Sequence, residues 1–345
     1  MLTHMQAITL SDWGDAQQFQ LNTIPVPKLE ADDVLVKVAY AGLNPADWKM
    51  RAGFLSAAFT QLQAPYVLGL DASGTIAALG DKVSDFEIGD RVVTGNNLFQ
   101  AGKPGAYAQY LVVSTKRITK LPDNVPLEQA ASLPTAGITA WQALFAADKG
   151  NLPLGNLNKK VNEAAPKKKV LINGASGGVG SFAVQLAKWA GLDVATTSGT
   201  QNVDYVTSLG ADYAIDYRRQ DIQQALKKWA PEGVDLIIDA VSAGSLTNPL
   251  MMLKPGGKLV SIATITHDGD VEAQMASAKA ANKHFVLAIV SDANMANELN
   301  QLVTLVQQKL VRFPATKTYA MNDMTQAHLE LEAGHVRGKL IIKID

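Results

Sequence analysis

The amino-acid sequence predicts an α/β protein in which a doubly wound parallel sheet is joined to a second, β-rich domain. Three observations support this fold class. A strand, a glycine-rich turn and a helix follow one another at 169–187, strand-like and helical runs alternate after that turn, and short alternating runs fill the first third of the chain. At 345 residues the chain is long enough for about two domains.

Composition excludes several classes of function. Hydrophobic residues make up 47% of the chain and charged residues 18%, and the net charge is −1, so no basic surface for nucleic acid or acidic membrane is expected. The chain has no cysteine, which excludes disulfides, thiolate nucleophiles and cysteine-rich zinc sites. The five histidines lack a metal-like i, i+4 pair and are interpreted as surface or core residues. Without a membrane-length apolar run or a signal-peptide pattern, the protein is expected to be cytoplasmic.

The first third of the chain predicts a β-rich, barrel-like domain. Short alternating runs are separated there by Gly, Pro, Asn and Asp, as expected for strands joined by turns. The runs are 34–40, 74–79, 91–93 and 108–113. From residue 126 the pattern becomes helical, at 127–131 and 138–147, and the Lys-rich connection 149–169 indicates a solvated loop.

The segment 169–187 predicts a strand, a tight turn and a helix. A side chain at Gly177 would block a pyrophosphate, and one at Gly180 would hold the helix off the strand. In the G-x-G-x-x-G pattern the first glycine is Ala175, whose methyl group is small enough to be tolerated. Free N–H groups in the first helical turn would then face an anion. The alternative is a glycine-rich turn that packs a strand on a helix without any ligand.

After the turn, alternating runs predict a parallel, doubly wound sheet. Strands are expected at 192–197, 214–217, 234–241, 258–262 and 284–290, and helices at 204–209, 222–229 and 295–310. A last strand at 339–344 is expected to belong to the β-rich domain. The predicted domains are therefore 1–130 together with 314–345, and 131–313 between them.

Eight segments in one order carry a family resemblance. They are AGLNPADWKMRAG at 41–53, PYVLGLDASG at 65–74, FEIGDRV at 86–92, GAYA at 105–108, LPTAGITAW at 133–141, the glycine turn INGASGGVG at 172–180, LGAD at 209–212 and GHVRGK at 334–339. With these segments the chain resembles the medium-chain dehydrogenase/reductase superfamily, and within it the zinc-independent quinone oxidoreductases related to zeta-crystallin.

The resemblance implies a chaperonin-10-like barrel, a Rossmann domain and a cofactor in the cleft between them. The implied reaction is transfer of hydride from NADPH to a quinone or an α,β-unsaturated carbonyl. Asn44 and Leu70 stand where zinc-dependent relatives place a cysteine and a histidine ligand, and a leucine cannot bind zinc. No metal is therefore expected.

Without a metal, hydrogen bonds must polarise the substrate. Asn44 and Thr135 are the candidate catalytic residues. The resemblance suggests that Asn44 bonds the nicotinamide ribose or the substrate oxygen, and that Thr135 touches the nicotinamide or the substrate. Alternatively, Asn44 belongs to an Asn-Pro turn that only caps a strand. Asp47 and Arg51 are better explained as an intradomain ion pair than as catalytic groups, and no side chain is an evident proton donor.

The expected cofactor contacts include Asn44 and Thr135 and extend over both predicted domains. The others are Ser176, Gly177, Gly178, Val179, Gly180, Ser198, Tyr217, Val241, Ala263, Arg337 and Lys339.

NADPH is predicted over NADH because 196–202 has no carboxylate to accept ribose hydroxyls or repel a 2′-phosphate. Ser198 and Thr200 could donate to that phosphate, and Tyr217 stands where the quinone oxidoreductases place a phosphate-contacting tyrosine. The lysine common in that family near residue 202 is missing. Arg218, Arg219 and Arg337 are the candidates to replace it.

Two other functions stay open. Enoyl-thioester reductases of the same superfamily resemble the chain but place a tyrosine shortly after the Asn-Pro segment, where this chain has Phe54. An NADPH-binding sensor or structural protein with little turnover would share every cofactor motif. The apolar segment 285–290 near the end of the sheet favours a homodimer, unless helix 295–310 covers it. A small-molecule substrate is the expected partner, with no nucleic acid and no membrane.

Overall fold

A computed structural model describes residues 3–56, 64–95, 103–154, 167–242, 244–262 and 270–344. The chain divides into two compact units. Unit 1 comprises Met1–Ile138, Ser291–Lys309 and Phe313–Asp345, and unit 2 comprises Thr139–Val290 and Leu310–Arg312. Within the described ranges, no helix has the length and apolar character needed to cross a membrane.

Strands and helices are numbered in chain order. The strands are β1 His4–Thr9, β2 Gln20–Pro25, β3 Asp33–Gly42, β4 Asp71–Leu79, β5 Arg91–Gly95, β6 Tyr110–Ser114, β7 Ile118–Lys120, β8 Lys169–Asn173, β9 Asp193–Ser198, β10 Tyr213–Asp216, β11 Val234–Asp239, β12 Leu253–Ser261, β13 His284–Leu287, β14 Thr316–Ala320 and β15 Lys339–Lys343. The helices are α1 Pro45–Arg51, α2 Leu127–Ala130, α3 Pro134–Phe145, α4 Gly178–Trp189, α5 Val203–Ser208, α6 Ile222–Trp229, α7 Val271–Ala280, α8 Met295–Gln307 and α9 Met324–Glu332.

Unit 1 is β-rich, as the alternating runs predict. Its main sheet has the strand order β14-β15-β3-β4-β5-β7, and β6 also pairs with β3. Val34, Val36 and Val38 of β3 alternate into the core, which is the period expected of a strand with one buried face. The last strand, β15, pairs antiparallel with β3, so the prediction that the chain end returns to the β-rich part is confirmed.

Unit 2 contains a six-stranded sheet with the order β10-β9-β8-β11-β12-β13. All neighbouring strands in it are parallel, which confirms the predicted doubly wound arrangement. Two strands of this sheet differ most from the prediction. β12 begins at Leu253, before the turn residues 255–257, and β13 has four residues instead of the seven expected for 284–290. Residues 291–309, assigned to the Rossmann domain by sequence, pack with unit 1, and the domain limits stay a prediction.

The glycine turn between β8 and α4 shows why glycine is needed at residues 174 and 180. Gly174 has φ +78° and takes the left-handed backbone conformation that favours glycine. Ala175 does not have a positive φ, so an alanine is tolerated at that position. A Cβ on Gly180 would lie 2.3 Å from the carbonyl oxygen of Gly174 and 2.6 Å from Cα of Ala175. The prediction that Gly180 allows the helix to pack on the strand is therefore confirmed. At Gly177 the same Cβ would meet only the Gly174 carbonyl oxygen, at 3.6 Å.

We predict that Gly180→Ala lowers the melting temperature, because the new methyl group overlaps backbone atoms that cannot rotate away. Overpacking of this kind costs about 1–3 kcal/mol, or several degrees in a domain of this size. Gly177→Ala is the matched control in the same turn, and its smaller contact should leave a smaller shift. Thermal unfolding followed by circular dichroism checks the pair; equal melting temperatures for the two variants would contradict the packing argument.

Candidate functional site

The turn that opens α4 presents an anion-binding geometry in unit 2. Gly177 is the N-cap residue of α4, and Ser176, Gly178 and Val179 are partly exposed while Gly180 is buried. The N–H groups of a first helical turn have no intrahelical acceptor and carry the positive end of the helix dipole. Among the described residues, no side-chain atom lies within 4 Å of a Cβ built on Gly177, so this turn fits the pyrophosphate of a dinucleotide.

A network of side-chain hydrogen bonds, which sequence reasoning missed, holds the residues before this turn in place. Asn173 Nδ2 donates to Asp239 Oδ1 at 2.8 Å, and Thr197 Oγ1 donates to Asn173 Oδ1 at 2.5 Å. Thr197 Oγ1 in turn accepts from the N–H of Gly174 at 3.1 Å, and Asp239 Oδ1 accepts from the N–H of Val241 at 3.1 Å. The network joins the carboxyl ends of β8, β9 and β11. Its signal in the sequence is a polar residue at the end of each apolar strand.

The end of β9 lies beside the residues predicted to distinguish NADPH from NADH. Ser198 is buried, and its Oγ has no hydrogen-bond partner in the described part of the chain. A Cβ on Gly199 would lie 3.3 Å from both Tyr217 Oη and Arg218 Nε, so a hydroxyl and a guanidinium converge on the backbone just after Ser198. Arg218 therefore lies beside Gly199 and Tyr217, next to Ser198 in the chain.

The hydroxyl of Thr200 contacts a carboxylate of the neighbouring strand. Its Oγ1 donates to Asp216 Oδ2 at 2.7 Å, so its only O–H is already used. Hydrogen bonding by Thr200, followed by the N–H of Arg218, holds the pKa of Asp216 below its ordinary value. β10 thus brings a carboxylate next to a loop that has none of its own, and donation by Thr200 to a phosphate stays a prediction.

Asn44, Asp71 and Lys339 meet in the interior of unit 1, where they are 3%, 0% and 4% exposed. Asn44 Nδ2 donates to Asp71 Oδ2 at 2.9 Å, and Lys339 Nζ donates to Asn44 Oδ1 at 2.6 Å and to Asp71 Oδ2 at 3.2 Å. The sheet register explains the meeting. Gly42, two residues before Asn44, is the β3 partner of both Asp71 on β4 and Ile341 on β15.

Thr135 completes this network from the first turn of α3. Its backbone N–H and its hydroxyl both donate to Asp71 Oδ1, at 2.9 and 2.6 Å. The two candidate catalytic residues, Asn44 and Thr135, are thus held by the two oxygens of one carboxylate. Sequence reasoning did not single out Asp71, although a carboxylate at the start of an apolar strand is an unusual residue to bury.

Asn44 is also the N-cap residue of α1, with Pro45 at the first helical position. Asp47 Oδ2 accepts from the N–H of Asn44 at 2.7 Å, so the Asn-Pro turn caps a helix and not a strand. The expected ion pair of Asp47 with Arg51 is wrong for the described residues. Arg51 Nη2 pairs with Glu332 Oε2 at 2.6 Å, and Asp47 Oδ1 has no hydrogen-bond partner there.

Burial shifts the pKa values of the groups beneath Asn44. Desolvation raises the pKa of Asp47 to about 7, and the hydrogen bond from Asn44 only partly offsets it. Desolvation, assisted by the nearby Arg51 cation, lowers the pKa of His328 to about 3. Tyr107, whose hydroxyl lies 3.1 Å from His328 Nε2, has a pKa raised well above its ordinary value, chiefly by burial and then by Asp47.

The residues present do not fit a zinc ion at Asn44. The ammonium of Lys339 already lies between Asn44 Oδ1 and Asp71 Oδ2, and Leu70 has no ligand atom. Across the described ranges, no group of three or more His, Asp or Glu residues could hold a metal ion.

The remaining predicted contacts are distributed as follows. Arg337 is exposed in unit 1, two residues before Lys339, and Val241 is half exposed after β11 in unit 2. Ala263 lies outside the described residues.

Comparison with protein families gives two matches. Residues 30–123 match the alcohol dehydrogenase GroES-like domain, and residues 209–342 match the family described as zinc-binding dehydrogenase.

Similar proteins cover almost the whole chain. An Arabidopsis thaliana protein described as NADPH-dependent alkenal/one oxidoreductase, chloroplastic, is 31% identical over 98% of this chain and 79% of its own length. A chloroplast envelope quinone oxidoreductase homolog from the same plant is 30% identical over 98% of each chain. The solved structure of the quinone oxidoreductase from Coxiella burnetii is 32% identical, with a TM-score of 0.84 over 99% of this chain and 100% of that one.

The opposite shifts of Asp47 and His328 predict compensating effects of pH on stability. Between about pH 4 and 6.5, Asp47 holds a proton only in the folded state, so its contribution to stability falls as pH rises. His328 holds one only in the unfolded state, so its contribution rises with pH. Together the two slopes cancel in this window.

Asp47→Asn should therefore leave the pH dependence due to His328 uncompensated. The unfolding free energy of this variant should then rise with pH relative to wild type by up to about 1.4 kcal/mol per pH unit. His328→Gln should give a slope of the opposite sign. Urea midpoints at several pH values between 4.5 and 6.5 measure both. Parallel curves for wild type and Asp47→Asn would show that Asp47 is already ionised in the folded protein.

Proposed function

Because the chain belongs to the medium-chain dehydrogenase/reductase superfamily, among its quinone and alkenal oxidoreductases, we propose that it transfers hydride from NADPH to a quinone or an α,β-unsaturated carbonyl. The observation that supports this most directly is the open turn at Gly177, which follows the carboxyl end of strand β8. Parallel sheets of this kind bind dinucleotides at that edge. NADPH, when bound, supplies the hydride. The name of the Arabidopsis alkenal/one oxidoreductase supports both the cofactor and the class of acceptor.

Two sets of residues are proposed to bind different parts of the cofactor. Residues 176–180 bind the pyrophosphate through backbone N–H groups, and the side chains around Ser198 bind the adenosine end. Asn44 and Thr135 contact the nicotinamide or the acceptor, with Val241, Ala263 and Arg337 as further contacts. A quinone or enone oxygen gains negative charge as hydride arrives, and a fixed N–H donor stabilises that charge.

We propose that the protein works without zinc, since an ammonium and not a ligand set accompanies Asn44. Elemental analysis of the purified protein should find no stoichiometric zinc, and a chelator should leave activity unchanged.

The other functions rank lower. Phe54, which is 57% exposed, disfavours the enoyl-thioester reductase, and relatives named for catalysis disfavour a sensor or structural role. A homodimer is proposed because β13 is the last strand of its sheet and is followed by Ile289, 70% exposed. Helix α8, within the alternative cover 295–310, packs on β7 of unit 1, and α7 packs on β13. A cytoplasmic location stays part of the proposal.

We predict that the protein oxidises NADPH with at least one of three acceptors: a naphthoquinone, an alkenal and an enoyl thioester. Absorbance at the NADPH band, with and without each acceptor, measures turnover. Exclusive use of the thioester would favour the enoyl reductase alternative. NADPH binding without turnover on any acceptor would favour the binding-protein alternative.

We predict that NADPH binds more tightly than NADH, and that Arg218→Ala weakens NADPH binding while leaving NADH nearly unchanged. A charge-assisted hydrogen bond worth about 1–3 kcal/mol corresponds to roughly 5- to 150-fold in affinity. The carboxylate of Asp216 accepts from the N–H of Arg218, and its negative charge so near the expected 2′-phosphate site limits the preference for NADPH. Arg219→Ala is the matched control, since Arg219 Nε lies 3.6 Å from Asp216 Oδ2. Fluorescence titration with both cofactors checks this; equal dissociation constants in the wild type would reject the assignment of Ser198, Tyr217 and Arg218.

A further inference from the structure

The hydroxyl of Thr135 can only accept hydrogen bonds from a ligand. A threonine hydroxyl has one O–H donor and two lone pairs. Its O–H is directed at Asp71 Oδ1, 2.6 Å away, and the other oxygen of Asp71 pairs with the Lys339 ammonium. Thr135 is partly exposed, so its remaining lone pairs are what a bound molecule meets.

The amide of Asn44 is held in one orientation by the same carboxylate. Its Oδ1 faces the Lys339 ammonium and its Nδ2 faces Asp71 Oδ2. A flipped amide would set N–H against N–H and oxygen against oxygen in a buried site, which is costly. Asn44 therefore keeps one N–H that is not directed at Asp71, while Thr135 keeps only lone pairs.

The proposed ligands differ in which of these groups they can use. A quinone or enone carbonyl has acceptor lone pairs and no donor, so Thr135 cannot polarise it. The carboxamide of a nicotinamide ring has an NH2 group, which is a donor. The hydrogen-bonding polarity therefore assigns Thr135 to the cofactor and leaves Asn44 as the donor for an acceptor oxygen.

We propose that Asp71 is a positioning residue that fixes Thr135 as the hydrogen-bond acceptor for the nicotinamide carboxamide N–H. This inference rests on the proposed NADPH-dependent function. Asp71 itself is fully buried, so it acts on a ligand through its neighbours. Its effect is to set the polarity and the direction of Thr135 and Asn44.

The test compares NADPH with its reduced 3-acetylpyridine analogue, in which a methyl group replaces the carboxamide NH2. Dissociation constants are measured by fluorescence titration for wild type, Thr135→Ser and Thr135→Val. Wild type and Thr135→Ser should prefer NADPH, and Thr135→Val should lose about fivefold to tenfold of that preference. Differences between the two cofactors that arise elsewhere cancel in this comparison. If Thr135→Val weakens both cofactors equally, as contact with a ribose hydroxyl would, the inference is overturned.

Asp71→Asn tests the positioning role. With Lys339 retained, the new amide oxygen should turn toward the ammonium and the new NH2 toward Thr135, which frees the Thr135 O–H to point at the ligand. The preference for NADPH over the analogue should then fall as it does in Thr135→Val, and the double variant should lose no more than either single variant. Additive losses would contradict action through Thr135.

A fragment without nicotinamide, 2′-phospho-ADP-ribose, separates this inference from the proposed function. It should bind wild type, Thr135→Val and Asp71→Asn equally, which shows that each variant is folded. If wild type binds neither the fragment nor NADPH, the proposed function fails. If wild type binds both and Thr135→Val keeps the full preference, only the role of Thr135 and Asp71 fails. Should Asp71→Asn not fold, the Thr135 variants still decide the matter.

Discussion

The carboxylate of Asp71 and the ammonium of Lys339, 3.2 Å apart and both buried, depend on each other inside unit 1. A lone buried charge is far more costly than a paired one, and removing either partner would leave the other uncompensated. Each group still has further hydrogen-bonding capacity, which Asn44 and Thr135 satisfy. The need to neutralise one carboxylate therefore brings together the starts of β4, β15, α1 and α3.

The same residues serve both local structure and the site. Asn44 begins α1 through its backbone, which Asp47 caps, while its side chain faces Asp71. Asp47 and His328 lie beneath this point and have their pKa values shifted in opposite directions by burial, so both are favoured in the neutral state. The charged groups near Asn44 are paired, Lys339 with Asp71 and the buried Arg51 with Glu332.

In unit 2, buried polar side chains at the strand ends satisfy one another by hydrogen bonds. The bond between Asn173 and Asp239 joins β8 to β11. Thr197 of β9 bonds the side chain of Asn173 and also accepts from the N–H of Gly174. The turn at Gly174 is thereby fixed before any ligand arrives, so that binding need not order it. A preorganised turn loses less conformational entropy on binding than a flexible one.

The sequence alone determined the parallel sheet, the glycine turn and the return of the last strand to the β-rich unit. These features depend on the period of apolar residues and on the conformations open to glycine, which are properties of neighbouring residues. Only the tertiary structure decided where β13 ends, that Thr200 bonds Asp216, that Arg51 pairs with Glu332 and that Asp71 holds Asn44, Thr135 and Lys339. Asp71 and Lys339 are 268 positions apart in the chain. No local pattern encodes such a partnership, because it is set by sheet register and by the cost of leaving a buried polar group unpaired.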